Sequence, residues 1–250
     1  MTSVDVRGLV RAVAYATAAA VVVTLAALLI RERADALVEF DQNAVRAGTD
    51  YSRSHPALLQ FLIAWQWATQ PKFVYLVAVP VAALVARRAS LRPRAAWAFV
   101  TMMLVWSLAA VMKEIVRRAR PLVDDPVSHA PGFSFPSGHS ANAMAAALVM
   151  VVLLWPLLRG GGRALAVALA VAFVVITGLD RVFLGVHYPS DVIGGFLLGA
   201  GMVAASYAGF RRNRRASDDR DDRGDKSENR EPQRSGKIRR APANDRHQRG

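Results

Sequence analysis

Lys113 and Arg120 stand seven residues apart in Lys113-Glu114-Ile115-Val116-Arg117-Arg118-Ala119-Arg120-Pro121, close to two helical turns. On a helix stopped by Pro121 both would leave one face, where two cations suit an anion such as a phosphoryl group. The same cations could instead be snorkelling anchors of a membrane helix. A second stretch, Phe135-Pro136-Ser137-Gly138-His139-Ser140, reads as a tight turn opening a helix. Backbone N–H groups of Ser137 and Gly138 would then face a phosphate at the positive end of the helix dipole, although Ser137 or Ser140 could be an ordinary N-cap. Capping gives no reason for His139. The third stretch, Asp180 to Asp191, supplies Arg181, His187 and Asp191. A carboxylate that accepts one ring N–H of an imidazole leaves the other nitrogen free to attack, and the plainer task for Asp191 is to cap the following helix. With no cysteine in the chain, thiol nucleophiles, disulfides and cysteinyl metal sites are excluded.

Something must hold these stretches, and the composition indicates what. The 250 residues are 53% hydrophobic with a mean hydropathy of +0.23, yet carry 32 Lys and Arg against 19 Asp and Glu. Uncharged runs segregated from basic ones reconcile those figures in a polytopic membrane protein. Residues 12 to 30 would cover roughly 28 Å as a helix, a full hydrocarbon core. Further runs occupy 73 to 86, 95 to 112, 141 to 158, 164 to 179 and 192 to 210. The expected fold is therefore all-α, a bundle of about six transmembrane helices. Residues 57 to 71, short and followed by Lys72, read as an interfacial or re-entrant helix or as part of a long, tilted second span. A cleaved signal peptide at Ala34-Asp35-Ala36 is the weaker reading of the first run, because Arg31-Glu32-Arg33 intervenes.

Arg87, Arg88, Arg92 and Arg94, then Arg159 and Arg163, then Arg211, Arg212, Arg214 and Arg215 all fall in turns on one side. That side is expected to be cytoplasmic together with both termini, which leaves the three chemical stretches on the extracytoplasmic face of a multi-pass plasma-membrane protein. The net charge of +13 is then addressed to anionic lipid headgroups rather than to nucleic acid. Residues 1–54 form an N-terminal span and loop, 55–210 the core, and 211–250 a charged tail with too few aliphatic residues to order itself.

Taken together, the three stretches resemble the signature of the type 2 phosphatidate phosphatase superfamily, which includes undecaprenyl pyrophosphate phosphatases and the vanadium haloperoxidases. Lys-x6-Arg-Pro and Pro-Ser-Gly-His match in full; Ser-Arg-x5-His-x3-Asp matches at Arg181, His187 and Asp191, with Asp180 in place of Ser. The resemblance implies a phosphatase that needs no metal or other cofactor. Lys113, Arg120, Arg181, Ser137 and Gly138 would hold the phosphoryl group, His187 would attack it with Asp191 behind, and His139 would serve as acid and then base. Asp180 is expected to turn outward or pair with a cation. Arg117, Arg118, Glu114 and His129 have no task in this scheme. Six apolar spans suit a lipid phosphate substrate, with undecaprenyl pyrophosphate first and phosphatidate or phosphatidylglycerol phosphate as alternatives. A transporter or scaffold is the reading from a different class.

Overall fold

A computed structural model describes residues 35–123, 128 and 130–228, all of whose regular structure is helical. Seven α-helices follow in order: α1 (Asp35–Ser54), α2 (Pro56–Ala68), α3 (Pro71–Ala86), α4 (Arg92–Val116), α5 (Gly138–Leu154), α6 (Gly161–Phe183) and α7 (Pro189–Glu228). Among them α4, α6 and the segment Pro189–Arg211 of α7 are long and apolar enough to cross a membrane. Helices α2 and α3 pass the same test together, bent by 58° at the Thr69-Gln70 break, which accounts for the short run at 57 to 71. The first expected span, residues 12 to 30, lies outside the described residues. Exposed Leu76, Val100, Leu104, Val111, Leu169 and Val175 give the bundle the apolar exterior that lipid requires.

Helix α1 corrects one expectation, since the loop expected before residue 55 is helical from Asp35 to Ser54. Its buried residues, Asp41, Val45, Gly48, Thr49 and Ser52, recur at helical spacing but are mostly polar or small. Such a stripe leaves no apolar run to find. Ser52 Oγ donates to Phe183 O at 2.9 Å, which fastens α1 to the end of α6. Helix α5 is shorter than expected, ending at Leu154 two residues before Pro156. The tail is another correction, for α7 stays helical through Glu228. Once a helix is nucleated, each further residue adds a hydrogen bond without repeating the nucleation cost. Residues 229–250 lie outside the described ones.

Helix α5 is the axis of the bundle and packs most extensively on α7. The two backbones approach so closely that an added Cβ on Gly195 would lie 2.5 Å from Ser137 O, and one on Gly199 2.5 Å from Ala141 O. Small residues at four-residue spacing permit this contact, which replaces the hydrophobic drive that helices lack in lipid. Trp97 Nε1 and Thr101 Oγ1 donate to Ser206 Oγ at 3.1 and 3.0 Å, joining the start of α4 to the far part of α7. The end of α4 and the starts of α5 and α7 therefore meet at the opposite end, where all three chemical stretches lie. Gly195→Ala should force α7 off α5 and cost roughly 1–3 kcal/mol, read as a lower Tm of the detergent-solubilised protein. Gly161→Ala, which meets nothing within 4 Å, should leave the Tm unchanged.

Candidate active site

His187 is 3% exposed and lies in the turn between α6 and α7, with Asp191 in the first turn of α7. Its Nδ1 is 3.5 Å from Asp191 Oδ2 and 3.3 Å from Ser134 Oγ, and Ser134 also donates a short hydrogen bond to the same carboxylate oxygen. Nε2 faces the other way, 3.2 Å from Arg120 Nη1. Burial pulls the imidazole down to about 4; Asp191 works in the opposite direction, and the Arg120 and Lys113 cations add to the lowering. The ring is therefore neutral at physiological pH. A neutral ring that donates from Nδ1 keeps its lone pair on Nε2.

Arg120 reaches the site by a different route from the one its spacing suggested. Helix α4 ends at Val116 because Arg117 adopts the left-handed conformation, φ 51° and ψ 36°, so Lys113 and Arg120 do not share a helix face. Arg120 lies in irregular chain beyond α4 and donates to the carbonyls of Pro131, Gly132 and Val186 as well as to His187. Lys113 Nζ donates to Phe133 O at 2.7 Å, holding the chain that leads into Pro136-Ser137-Gly138-His139. Ser137 is the N-cap of α5, accepting from Ser140 N, and its own N–H goes to Asp191 O at 2.9 Å. The expectation that Ser137 offers its N–H to a phosphate is thereby corrected. Gly138 and His139 head α5, where a helix leaves its first amides without partners in the helix.

His139 Nε2 is buried with no hydrogen-bond partner among the described residues. The Gln66 amide exchanges hydrogen bonds with Ser128 Oγ at 2.9 and 3.0 Å, tying α2 to the chain between α4 and α5. Asp180 pairs with a cation, as expected, and the cation is Arg181. Arg181 Nε donates to Asp180 Oδ2 at 2.7 Å and Nη2 bonds the same oxygen, both residues being buried. A phosphate at Arg181 must then share the guanidinium with Asp180.

Sequence reading missed Arg118, Ser134 and Asp41. Arg118, set aside there as having no task, donates to Asp191 Oδ1 at 2.6 Å and to Asp41 Oδ2 at 2.7 Å, beneath the Tyr188 ring at 4.2 Å. Burial lowers its pKa, but Asp191 and Asp41 more than offset that and hold it above the usual arginine value. Ser134 could have been noticed for lying just before the Phe135-Pro136 turn; Asp41 had no signal at all beyond being an acid in an amphipathic stretch.

The sequence model of the PAP2 superfamily matches residues 94–215, a span that contains all three chemical stretches. Through this segment the chain resembles the PAP2 superfamily. It is 39% identical over 115 residues to phosphatidylglycerophosphatase B of Bacillus subtilis, covering 42% of this chain and 55% of that protein. It is 40% identical over 116 residues to decaprenylphosphoryl-5-phosphoribose phosphatase of Mycobacterium tuberculosis, covering 44% and 58%. The matched region thus spans little more than half the length of these curated relatives. The crystal structure of a transmembrane PAP2-type phosphatidylglycerolphosphate phosphatase from Bacillus subtilis superposes with a TM-score of 0.65 at 26% identity, over 75% of this chain and 92% of that one.

The lowered His187 pKa has a consequence for stability. Between its unfolded value near 6.5 and about 4, the unfolded chain takes up a proton that the folded site refuses, so folding is favoured less as pH falls through that window. Above pH 6.5 this contribution is fully present. Thermal melts should show Tm falling from pH 6.5 towards 4, and the fall should be shallower in His187→Gln.

Proposed function

We propose that this protein is a membrane lipid phosphatase that works through a phosphohistidine on His187. The geometry supporting it is that of one imidazole: Nδ1 faces Asp191 and Ser134, while Nε2 faces the Arg120 guanidinium where a phosphoryl oxygen would be drawn. In the forward step Nε2 attacks phosphorus, the bond to the leaving oxygen breaks, and His139 gives that oxygen a proton. Lys113, Arg120 and Arg181, with the leading amides of α5 at Gly138 and His139, offset the charge on the phosphoryl oxygens. In the second step water attacks phosphorus, His139 takes its proton, the P–N bond breaks and phosphate leaves. Three cations supply the neutralisation a metal would otherwise give, so turnover should persist in EDTA.

The relatives named above act, by their names, on phosphatidylglycerophosphate and on decaprenylphosphoryl-5-phosphoribose, which supports a lipid phosphate as substrate. Undecaprenyl pyrophosphate, the first expectation, has no counterpart in those names and stands beside phosphatidate in the panel to be assayed. The catalytic end is assigned to the extracytoplasmic face, supported by the cationic turns at the other end of the bundle. In the cysteine-free chain, Leu122→Cys should react with an impermeant thiol reagent in intact cells and Ala89→Cys should not; the reverse pattern would invert the topology.

The two histidines separate in a trapping experiment. With an aryl phosphate, whose leaving group needs little protonation, His139→Ala should form the phosphoenzyme and stall for want of the base that activates water. His187→Ala should form none. Acid-labile, base-stable phosphate is therefore expected on the first variant in rapid-quench samples, and its appearance on the second would move the nucleophile elsewhere.

A further inference from the structure

Asp41 is fully buried on α1, outside the segment that matches the PAP2 superfamily, and the mechanism above gives it no part. Its carboxylate is nevertheless only one residue, Arg118, away from Asp191. Oδ2 takes Arg118 Nη2 at 2.7 Å and a short hydrogen bond from Ser190 Oγ, and Oδ1 takes the Ser190 N–H at 3.1 Å. The other arm of the guanidinium, Nη1, goes to Asp191 Oδ1 at 2.6 Å and to Ser190 Oγ at 2.7 Å. Asp191 Oδ2 is thereby left to the Tyr188 N–H at 2.9 Å, to Ser134 and to His187.

An arginine facing a single carboxylate prefers to engage both oxygens with its two parallel arms. Here it cannot, because Asp41 occupies the second arm. We infer that Asp41 is a positioning residue for the phosphoryl transfer: by dividing Arg118 between two carboxylates it keeps Asp191 bound through one oxygen only and leaves the other oxygen, with its negative charge, for His187. This inference rests on the proposed phosphohistidine mechanism. One positive charge shared by two buried carboxylates leaves Asp191 partly uncompensated, which suits a neighbour that becomes cationic when phosphorylated. With Asp41 neutralised, Arg118 would close on Asp191 as a full ion pair and withdraw both the acceptor and the charge.

The charged and titratable groups around His187 come from every neighbouring element: Asp191 from α7, Arg120 and Arg118 from the chain after α4, Lys113 from α4, His139 from α5, and Arg181 from α6. Among these Asp191 alone favours the protonated ring. Weakening its field should therefore move the acid limb of phosphoenzyme formation to lower pH, a displacement that mere loosening of the fold would not produce.

The test is rapid-quench phosphorylation by an aryl phosphate, normalised to protein recovered from membranes. Asp41→Asn is expected to slow phosphoenzyme formation by about 10- to 100-fold with KM nearly unchanged and to shift its acid limb downward. Asp41→Glu, which keeps the charge, should recover most of the rate, and Asp50→Asn, exposed on the same helix, should match wild type. The effect of Asp41→Asn should also shrink in an Arg118→Gln background, where no guanidinium remains to redirect. A wild-type rate in Asp41→Asn, a slow rate with an unmoved limb, an undiminished effect without Arg118, or failure of both Asp41 variants to accumulate would each overturn the inference. Absence of any phosphohistidine in the wild type would instead overturn the mechanism on which it rests.

Discussion

A carboxylate without solvent, Asp191, is the constraint around which the rest of the site is arranged. An ion buried in a helix bundle is tolerated only if its lone pairs are occupied and its charge is answered. Asp191 meets both conditions through Arg118, Ser134 and the Tyr188 N–H, drawn from three separate stretches of chain. Its backbone carbonyl, meanwhile, holds the N–H of Ser137 at the head of α5. That one residue thus joins the turn that carries His187 to the helix that carries His139. The close crossing of α5 and α7 at Gly195 and Gly199 lets a hydrogen bond of 2.9 Å pass between them.

Residues that chemistry demands were legible in the sequence because their types are rare inside apolar surroundings: His139, His187, Arg181 and Asp191 stood out at the ends of uncharged runs. The routes by which they are held were not. Counting puts Lys113 and Arg120 on one helix face, but a left-handed Arg117 ends the helix early and Arg120 arrives along irregular chain. Nothing in residue spacing reveals a non-glycine residue at positive φ. Arg118 looked like one cation among four, and only tertiary structure shows that its two arms join different carboxylates. Helix α1 escaped for a related reason: hydropathy finds helices that face lipid, whereas α1 buries a polar stripe against other protein. The spans themselves were read well where charge bounded them, at α4, α6 and α7, and less well where proline, rather than charge, ended α5.

The seat of Arg120 bears on selectivity. A guanidinium has five N–H groups, and four partners, three carbonyls and the His187 Nε2, already draw on those of Arg120. A newcomer that needs more than the one remaining donor has to win the others from partners in place, and an uncharged hydroxyl or ester oxygen offers no better bond than the carbonyls it would displace. A phosphate dianion does, since charge-assisted hydrogen bonds are about twice as strong as neutral ones. On the proposed function, discrimination between a lipid phosphate and the dephosphorylated lipid surrounding it becomes a contest for one side chain, in which the resident acceptors set the reserve and only a strongly anionic bidder meets it.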